Sequence, residues 1–108
     1  MSTGGTDLGI AEEDDFWHLR LYVAGQSPRS RRAIANLKSL CEEHLAGRYE
    51  IEIIDLLAHP EMARDGDIVA IPTLVRRLPL PLRKVIGDLS DSENVLVGLR
   101  LTASNRGS

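Results

Sequence analysis

The sequence predicts one α/β domain of order β-α-β-α-β-β-α, a sandwich of sheet and helices. Three observations carry that prediction. A strand-like run, a long helix-like run and a second strand-like run follow one another within about forty residues, the pattern of a parallel βαβ unit with a right-handed crossover. Pro72 interrupts an apolar, β-branched run and confines it to an edge, a bulge or a cis turn. Ser90-Asp91-Ser92-Glu93 has the S-x-x-E form of a capping box and opens a final helix.

Each element follows from its residues. WHLRLYVA, 17–24, alternates, with Leu19, Leu21 and Val23 on one face and His18, Arg20 and Tyr22 on the other, so it reads as a strand. Gly25-Gln26 turns the chain. Ser27 is the expected N-cap, and Pro28 takes the first helical position, where its missing N–H does no harm. Ala33, Ile34, Leu37, Leu40, Cys41 and Leu45 repeat at helical spacing and form one apolar stripe, with Gly47 expected at C′. YEIEIIDLL, 49–57, sets Ile51 and Ile53 against Glu50 and Glu52 and reads as the second strand. His59-Pro60 opens a short helix that Gly66 ends. An extended run is expected over 68–75, a proline loop at 78–81, a further strand over 83–86 and a helix over 91–101. That last segment also reads as a strand, because Val95, Val97, Leu99 and Leu101 alternate, and Gly98 weakens a helix by about 1 kcal/mol relative to alanine.

The chain has 108 residues and a formal charge of −3, and its charges are segregated. Asp7, Glu12, Glu13, Asp14 and Asp15 lie in the first fifteen residues, which hold no Lys or Arg, so the rest is mildly basic. That balance excludes the clustered basicity of a nucleic-acid binder. No apolar run reaches the roughly 18 residues of a membrane span, and the start MSTGGTDLGIAEEDD lacks the pattern of a signal peptide. The expected organisation is a disordered acidic arm over 1–15, a folded domain over 16–103 and a short tail over 104–108.

One cysteine, Cys41, permits no intrachain disulfide and fits a reducing, cytoplasmic setting. It lies on the apolar stripe and reads as a small buried hydrophobe. His18, His44 and His59 fall on different elements without metal spacing, so neither a metal nor a cofactor is expected. Ser27 and Ser30 have no base tied to them by spacing, so they read as helix-capping residues and no catalytic residue is assigned. Asp88 and Asp91 flank a helix start, where anions are favoured in any case. Two basic clusters remain: Arg29, Arg31 and Arg32 at the first helix, where the dipole disfavours cations, and Arg76, Arg77, Arg83 and Lys84 around the proline loop.

AIPTLV, 70–75, resembles the thioredoxin segment that holds a cis-proline, and GDLSDSE, 87–93, resembles the entry to the last thioredoxin helix. Ser27-Pro28-Arg29-Ser30 stands where thioredoxins carry Cys-x-x-Cys. A hydroxyl cannot perform thiol–disulfide exchange, so the turn persists without redox chemistry. LYVAGQSPRS, YEIEIIDLL, IVAIPTLVRRLPLPLRKVIGDLSD and VLVGL together resemble the KaiB circadian clock family over about 17–101. The resemblance implies a thioredoxin-like, non-enzymatic regulator that binds a KaiC-like hexameric ATPase and modulates its phosphorylation. It also implies a second fold, β-α-β-β-α-α-β, assembled as a tetramer, so self-association to a dimer or tetramer is expected.

By the same resemblance Arg29, Arg32, Thr73, Arg76 and Lys84 are candidate partner contacts, and Pro72, Pro79, Pro81, Gly98 and Arg100 are candidate fold-switch positions. The chain departs from the clock members at Arg100, usually acidic, at Ala103, usually Tyr, at Asp67, commonly Lys, and in lacking their acidic tail. The departures at Arg100, Ala103 and the tail imply that the thioredoxin-like form is more populated here, and the one at Asp67 bears on a partner contact. The alternatives are a thioredoxin-like stress or redox adaptor without a clock partner, and a detached sensor domain resembling the amino-terminal part of the clock kinase SasA.

Overall fold

Strand β1, Trp17–Val23, forms where the alternation predicts it, in a computed structural model that describes residues 15–100. The arm up to residue 14, Leu101, Ala103 and the tail lie outside the described residues. Helix α1, Pro28–His44, starts at the N-cap Ser27 and ends at the C-cap Leu45. Gly47, at φ +78°, turns the chain one residue later than the expected C′ position. β2, Tyr49–Asp55, stops two residues early because the Asp55 carboxylate accepts the Leu57 N–H at 2.9 Å and folds the chain into a turn. α2 spans Glu61–Asp65, β3 Thr73–Leu78, β4 Arg83–Ile86 and α3 Ser92–Leu99.

Three expectations change here. Residues 68–72 form no strand: Ile68 N–H bonds back to the Ala63 carbonyl at 2.8 Å and Pro72 has no N–H to give, so the ladder begins at Thr73. The cap of α3 is Asp91, whose carboxylate accepts the Asn94 N–H at 3.2 Å, because Ser90 is already held by Asp88 at 3.1 Å. Arg100 is not in the last helical turn; it is the left-handed C-cap at φ 61°, ψ 34°. The bonds preceding Pro72, Pro79 and Pro81 are all cis.

The sheet order is β2-β1-β3-β4. β1 runs parallel to β2, with Leu21 beside Ile53, and antiparallel to β3, with Leu21 beside Leu74. β3 and β4 are antiparallel, with Leu74 beside Val85. One face of the sheet buries Trp17, Leu19, Leu21, Val23 and Leu74 against Ala33, Leu37, Leu40 and Cys41 of α1 and Val95 and Leu99 of α3. The other face is smaller: Tyr22, Ile54 and Val75 pack under Met62, Ala63 and Ile68 around α2. The core is mostly aliphatic, with Trp17 and Tyr22 its two large buried aromatic side chains.

Gly98 has a packing reason as well as a propensity cost. A Cβ there would sit 2.6 Å from Val85 Cγ2, so the missing side chain lets α3 lie close on β4. Alanine at 98 should gain helix propensity only when the facing methyl is removed. In a double-mutant cycle, Gly98→Ala should be more favourable by about 1–2 kcal/mol in a Val85→Ala background than in the natural one. Urea unfolding of the four proteins measures this, and strictly additive effects would contradict the contact.

Candidate functional site

The turn at the start of α1 is a closed hydrogen-bond knot. Ser30 is buried, and its Oγ accepts the Ala24 N–H at 3.0 Å and the Ser27 hydroxyl at 2.9 Å. Ser27 Oγ in turn accepts the Ser30 N–H at 3.2 Å. Both hydroxyls are spent on β1 and on the helix cap, and among the described residues no histidine bonds either one. The capping reading of the two serines therefore fits the geometry, and what the turn presents outward is charge.

Arg29 and Arg31 project from the first turn of α1 with no ion-pair or side-chain hydrogen-bond partner among the described residues. Arg32, 57 % exposed, reaches across to Asp88 with Nε 3.2 Å from Oδ2. Asn36 donates to the Asp88 carbonyl at 2.8 Å, so two residues of α1 grip the loop between β4 and α3. The Ser90 hydroxyl first, then Arg32 and the Ser90 amide, hold the Asp88 carboxyl below its ordinary value.

Lys84 stands on the other face of the sheet, opposite Val75 in the ladder. Its ammonium bonds the Asp67 carbonyl at 2.9 Å and lies 3.7 Å from the Asp67 carboxylate. It borders a cleft of about 300 Å³ lined by Arg20, Tyr22, Asp67, Arg77 and Leu82 among others. Arg20 is held in that cleft by Glu52, with Nε 3.0 Å from Oε1, and by the Tyr22 hydroxyl at 3.2 Å. The structure thus groups Arg29 with Arg32 but sets Lys84 apart from them, on the side of α2.

Thr73 and Arg76 present nothing outward. Thr73 is 1 % exposed and its hydroxyl donates to the Ala70 carbonyl at 2.7 Å. Arg76 is fully buried over the Trp17 ring, 5.2 Å from its centroid. Its guanidinium donates to the Leu99 carbonyl at 2.6 Å and to the Pro81 carbonyl at 2.7 Å. In this arrangement both residues shape the fold, and the cations that face outward at the start of α1 are Arg29, Arg31 and Arg32. Sequence reasoning did not find Asp88 as the partner of Arg32, because those residues lie far apart in the chain; its one signal was a carboxylate just ahead of a capped helix.

Cys41 is buried in the α1 stripe, and burial, with the neighbouring Glu42 carboxylate, pushes its thiol up to about 12. Among the described residues no group of His, Cys, Asp and Glu is placed to hold a metal ion. No helix among them is long and apolar enough to cross a membrane.

With this geometry in view, a family model described as the KaiB domain matches residues 20–101. The chain is 52 % identical over 83 residues to the circadian clock oscillator protein KaiB of Microcystis aeruginosa, covering 77 % of this chain and 80 % of that one. It is 51 % identical over 83 residues to the KaiB of Synechococcus elongatus, covering 77 % of this chain and 81 % of that one. Among solved structures, the N-terminal domain of Synechococcus elongatus SasA superposes with a TM-score of 0.67 at 20 % identity, covering 87 % of this chain and 90 % of that one. Mitochondrial thioredoxin 3 of Saccharomyces cerevisiae superposes at 0.63 and 17 % identity, covering 82 % of this chain and 80 % of that one. These likenesses establish the thioredoxin-like fold expected from the motifs.

Two outcomes follow from the geometry. Asp88 titrates below the ordinary carboxylate value of 3.8 in the folded protein, so its contribution is complete above that value and is lost as pH falls through the lower folded one. Asp88→Asn should therefore destabilise the protein near neutrality, and the difference from the natural chain should shrink in acid; thermal melts between pH 7 and pH 2 read it, and a difference independent of pH would contradict the assignment. The buried Cys41 thiol should react with an aromatic disulfide reagent only as fast as the fold opens, so its rate should rise in step with sub-denaturing urea; rapid labelling in native buffer would place the thiol at the surface.

Proposed function

The chain belongs to the KaiB family, and on that premise we propose that it is a non-enzymatic regulator that binds a KaiC-like hexameric ATPase in the cytoplasm and modulates its phosphorylation state. The observation that carries the reading is the conjunction of about half-identity to clock proteins over three quarters of the chain with a thioredoxin-like turn whose exposed groups are cations. Arg29 and Arg31 sit at a helix N-terminus, where the dipole offers them no stabilisation, and binding an acidic surface would supply what the fold does not. Arg32 and Lys84 would join them, each exchanging an intramolecular carboxylate, Asp88 or Asp67, for one on the partner.

The reading extends to a change of fold. Gly98, the left-handed Arg100 and a Val97 exposed on α3 leave the last segment able to pair as a strand, and in that form the chain would associate as a dimer or tetramer. If a fraction f of the chain is in the binding form, the apparent dissociation constant is the intrinsic one divided by f, and regulation acts on f. The redox alternative draws no support from the site, since the two hydroxyls at the turn cannot exchange disulfides.

Size-exclusion chromatography with a KaiC-type hexamer, in ATP and in ADP, tests the proposal. Co-elution in at least one nucleotide state is expected. Arg29→Ala and Arg32→Ala should each weaken binding roughly 5- to 30-fold, in the range of about 1–2 kcal/mol for a charge at an interface. Failure to bind in either state would refute it, as would insulin reduction by the purified protein.

A further inference from the structure

The sheet face opposite α1 and α3 is only partly covered. α2 has five residues and packs over Tyr22, Ile54 and Val75, and beside it lies the cleft of about 300 Å³. Val75 forms its floor, paired with Arg20 of β1 on one side and with Lys84 of β4 on the other. Paired residues share a face, so Arg20, Val75 and Lys84 make one row across three strands, with the two cations two strand spacings, roughly 10 Å, apart. Arg77 comes two residues after Val75 and, by the period of a strand, joins the same face. Three cations thus border one hollow whose apolar lining is Val75 and Leu82, an arrangement that concentrates anions.

The donors around this hollow are not spent. The Glu52 carboxylate holds Arg20 Nε and Nη2, both at 3.0 Å, and the Tyr22 hydroxyl accepts from Nη1 at 3.2 Å. A guanidinium has five N–H bonds, so at least one hydrogen on each Nη remains. Tyr22 is 2 % exposed, and its hydroxyl has no acceptor for its own hydrogen among the described residues. Arg77 is exposed and has no ion pair or side-chain hydrogen bond among them. Lys84 donates to the Asp67 carbonyl, but the Asp67 carboxylate, 3.7 Å from it, is 91 % exposed and holds it weakly. The acidic residues lining the cleft, Asp65 and Asp67, are both exposed, and they leave the three cations in excess. A Cβ on Gly66 would lie 2.5 Å from Tyr22 Oη, so glycine lets the turn after α2 close against the phenol and wall the cleft.

We propose that this cleft binds a phosphoryl dianion, with Arg20, Arg77 and Lys84 supplying charge and the Tyr22 hydroxyl a further hydrogen bond. The donors come from three strands and therefore from several directions. A tetrahedral oxyanion accepts from all of them at once, whereas a planar carboxylate accepts in one plane. Guanidinium forks match phosphate oxygens two at a time, and a phosphoryl group carries about −1.5 to −2 charges at neutral pH, enough to draw Lys84 from Asp67. The group arrives as free phosphate or on the phosphate chain of a nucleotide. The site lies on the side of α2 and makes no use of Arg29 or Arg32, so it stands independently of the partner proposed above and shares only Lys84 with it.

Amide-shift titration of the isotope-enriched full chain tests this. Inorganic phosphate is added at constant ionic strength, balanced with sodium chloride so that screening is unchanged. Amides of Gly66, Asp67, Val75, Arg77 and Lys84 should shift together and saturate with one dissociation constant, on the order of 1 mM. Arg77→Gln should weaken binding about 5-fold or more, because it removes a charged donor that the fold itself does not use. Lys38→Gln, on the exposed side of α1 in the other layer, should leave the constant unchanged.

ATP, ADP and adenosine are titrated in parallel. Saturation by phosphate makes the free anion sufficient. Saturation by the nucleotides alone, with adenosine silent, assigns the site to a nucleotide's phosphate chain, and either result supports the proposal. Shifts that grow linearly in every titration would overturn it. So would an Arg77→Gln variant that binds as tightly as the natural chain, or saturation by adenosine as readily as by ATP.

Discussion

The packing of the last third of the molecule depends on one buried guanidinium. Arg76 takes two carbonyls that would otherwise face the interior unpaired, Leu99 at the end of α3 and Pro81 in the proline loop, and it stacks over Trp17 at the start of β1. The last carbonyls of a helix have no partner within it, so a donor at that end is a structural requirement. Arginine meets it because its planar fork donates in two directions at once; a lysine ammonium is a point charge without that geometry. The result is that β3, the loop before β4 and the end of α3 share one set of hydrogen bonds, with β1 joined to them by the ring stack, and neither the loop nor the helix end can move far without stranding a polar group in the core.

Most of the fold was legible because its elements obey local rules. β1 alternates strictly, α1 carries a stripe and an N-cap followed by proline, and the strand–helix–strand spacing is enough to imply a parallel pair. What was not legible depended on competition between neighbours. Ser90 fits the capping-box pattern, but Asp88 claims its amide, and the cap passes to Asp91. Ile68–Ile71 have the composition of a strand, but Ile68 is used to close the turn after α2, and the ladder has to wait for Thr73. Neither outcome can be read from residue types, because each depends on which of two available donors or acceptors is nearer.

The site was legible in part, and for a related reason. Arg29, Arg31 and Arg32 stood out because cations at a helix N-terminus oppose the dipole, and the first two are exposed and have no partner among the described residues. Arg76 was grouped with Arg77, Arg83 and Lys84 because all four cations flank the proline loop in sequence, whereas the fold buries it completely. Period two already placed Arg76 on the same face as Leu74, and the strand order makes that face the core. A charge need not mark the outer face of a strand where a buried donor is needed to close the end of a helix.

The same facts separate what local sequence decides from what tertiary contact decides. α1 has a full stripe, a serine knot and a proline at its first position, and it would be recognised as a helix in almost any context. α3 is eight residues long, shorter than an isolated helix sustains in water, and it carries a glycine and two valines. Its helical state rests on long-range support: the Asp91 cap, the close approach of Gly98 to Val85, the burial of Val95 and Leu99, and the Arg76 bond to its last carbonyl. A segment held this way has its conformation set by the surface it packs on, and a change at that surface alters its balance more than a change within it. Arg76 is where such a change acts most directly, since it joins the end of α3, the proline loop and the start of β1.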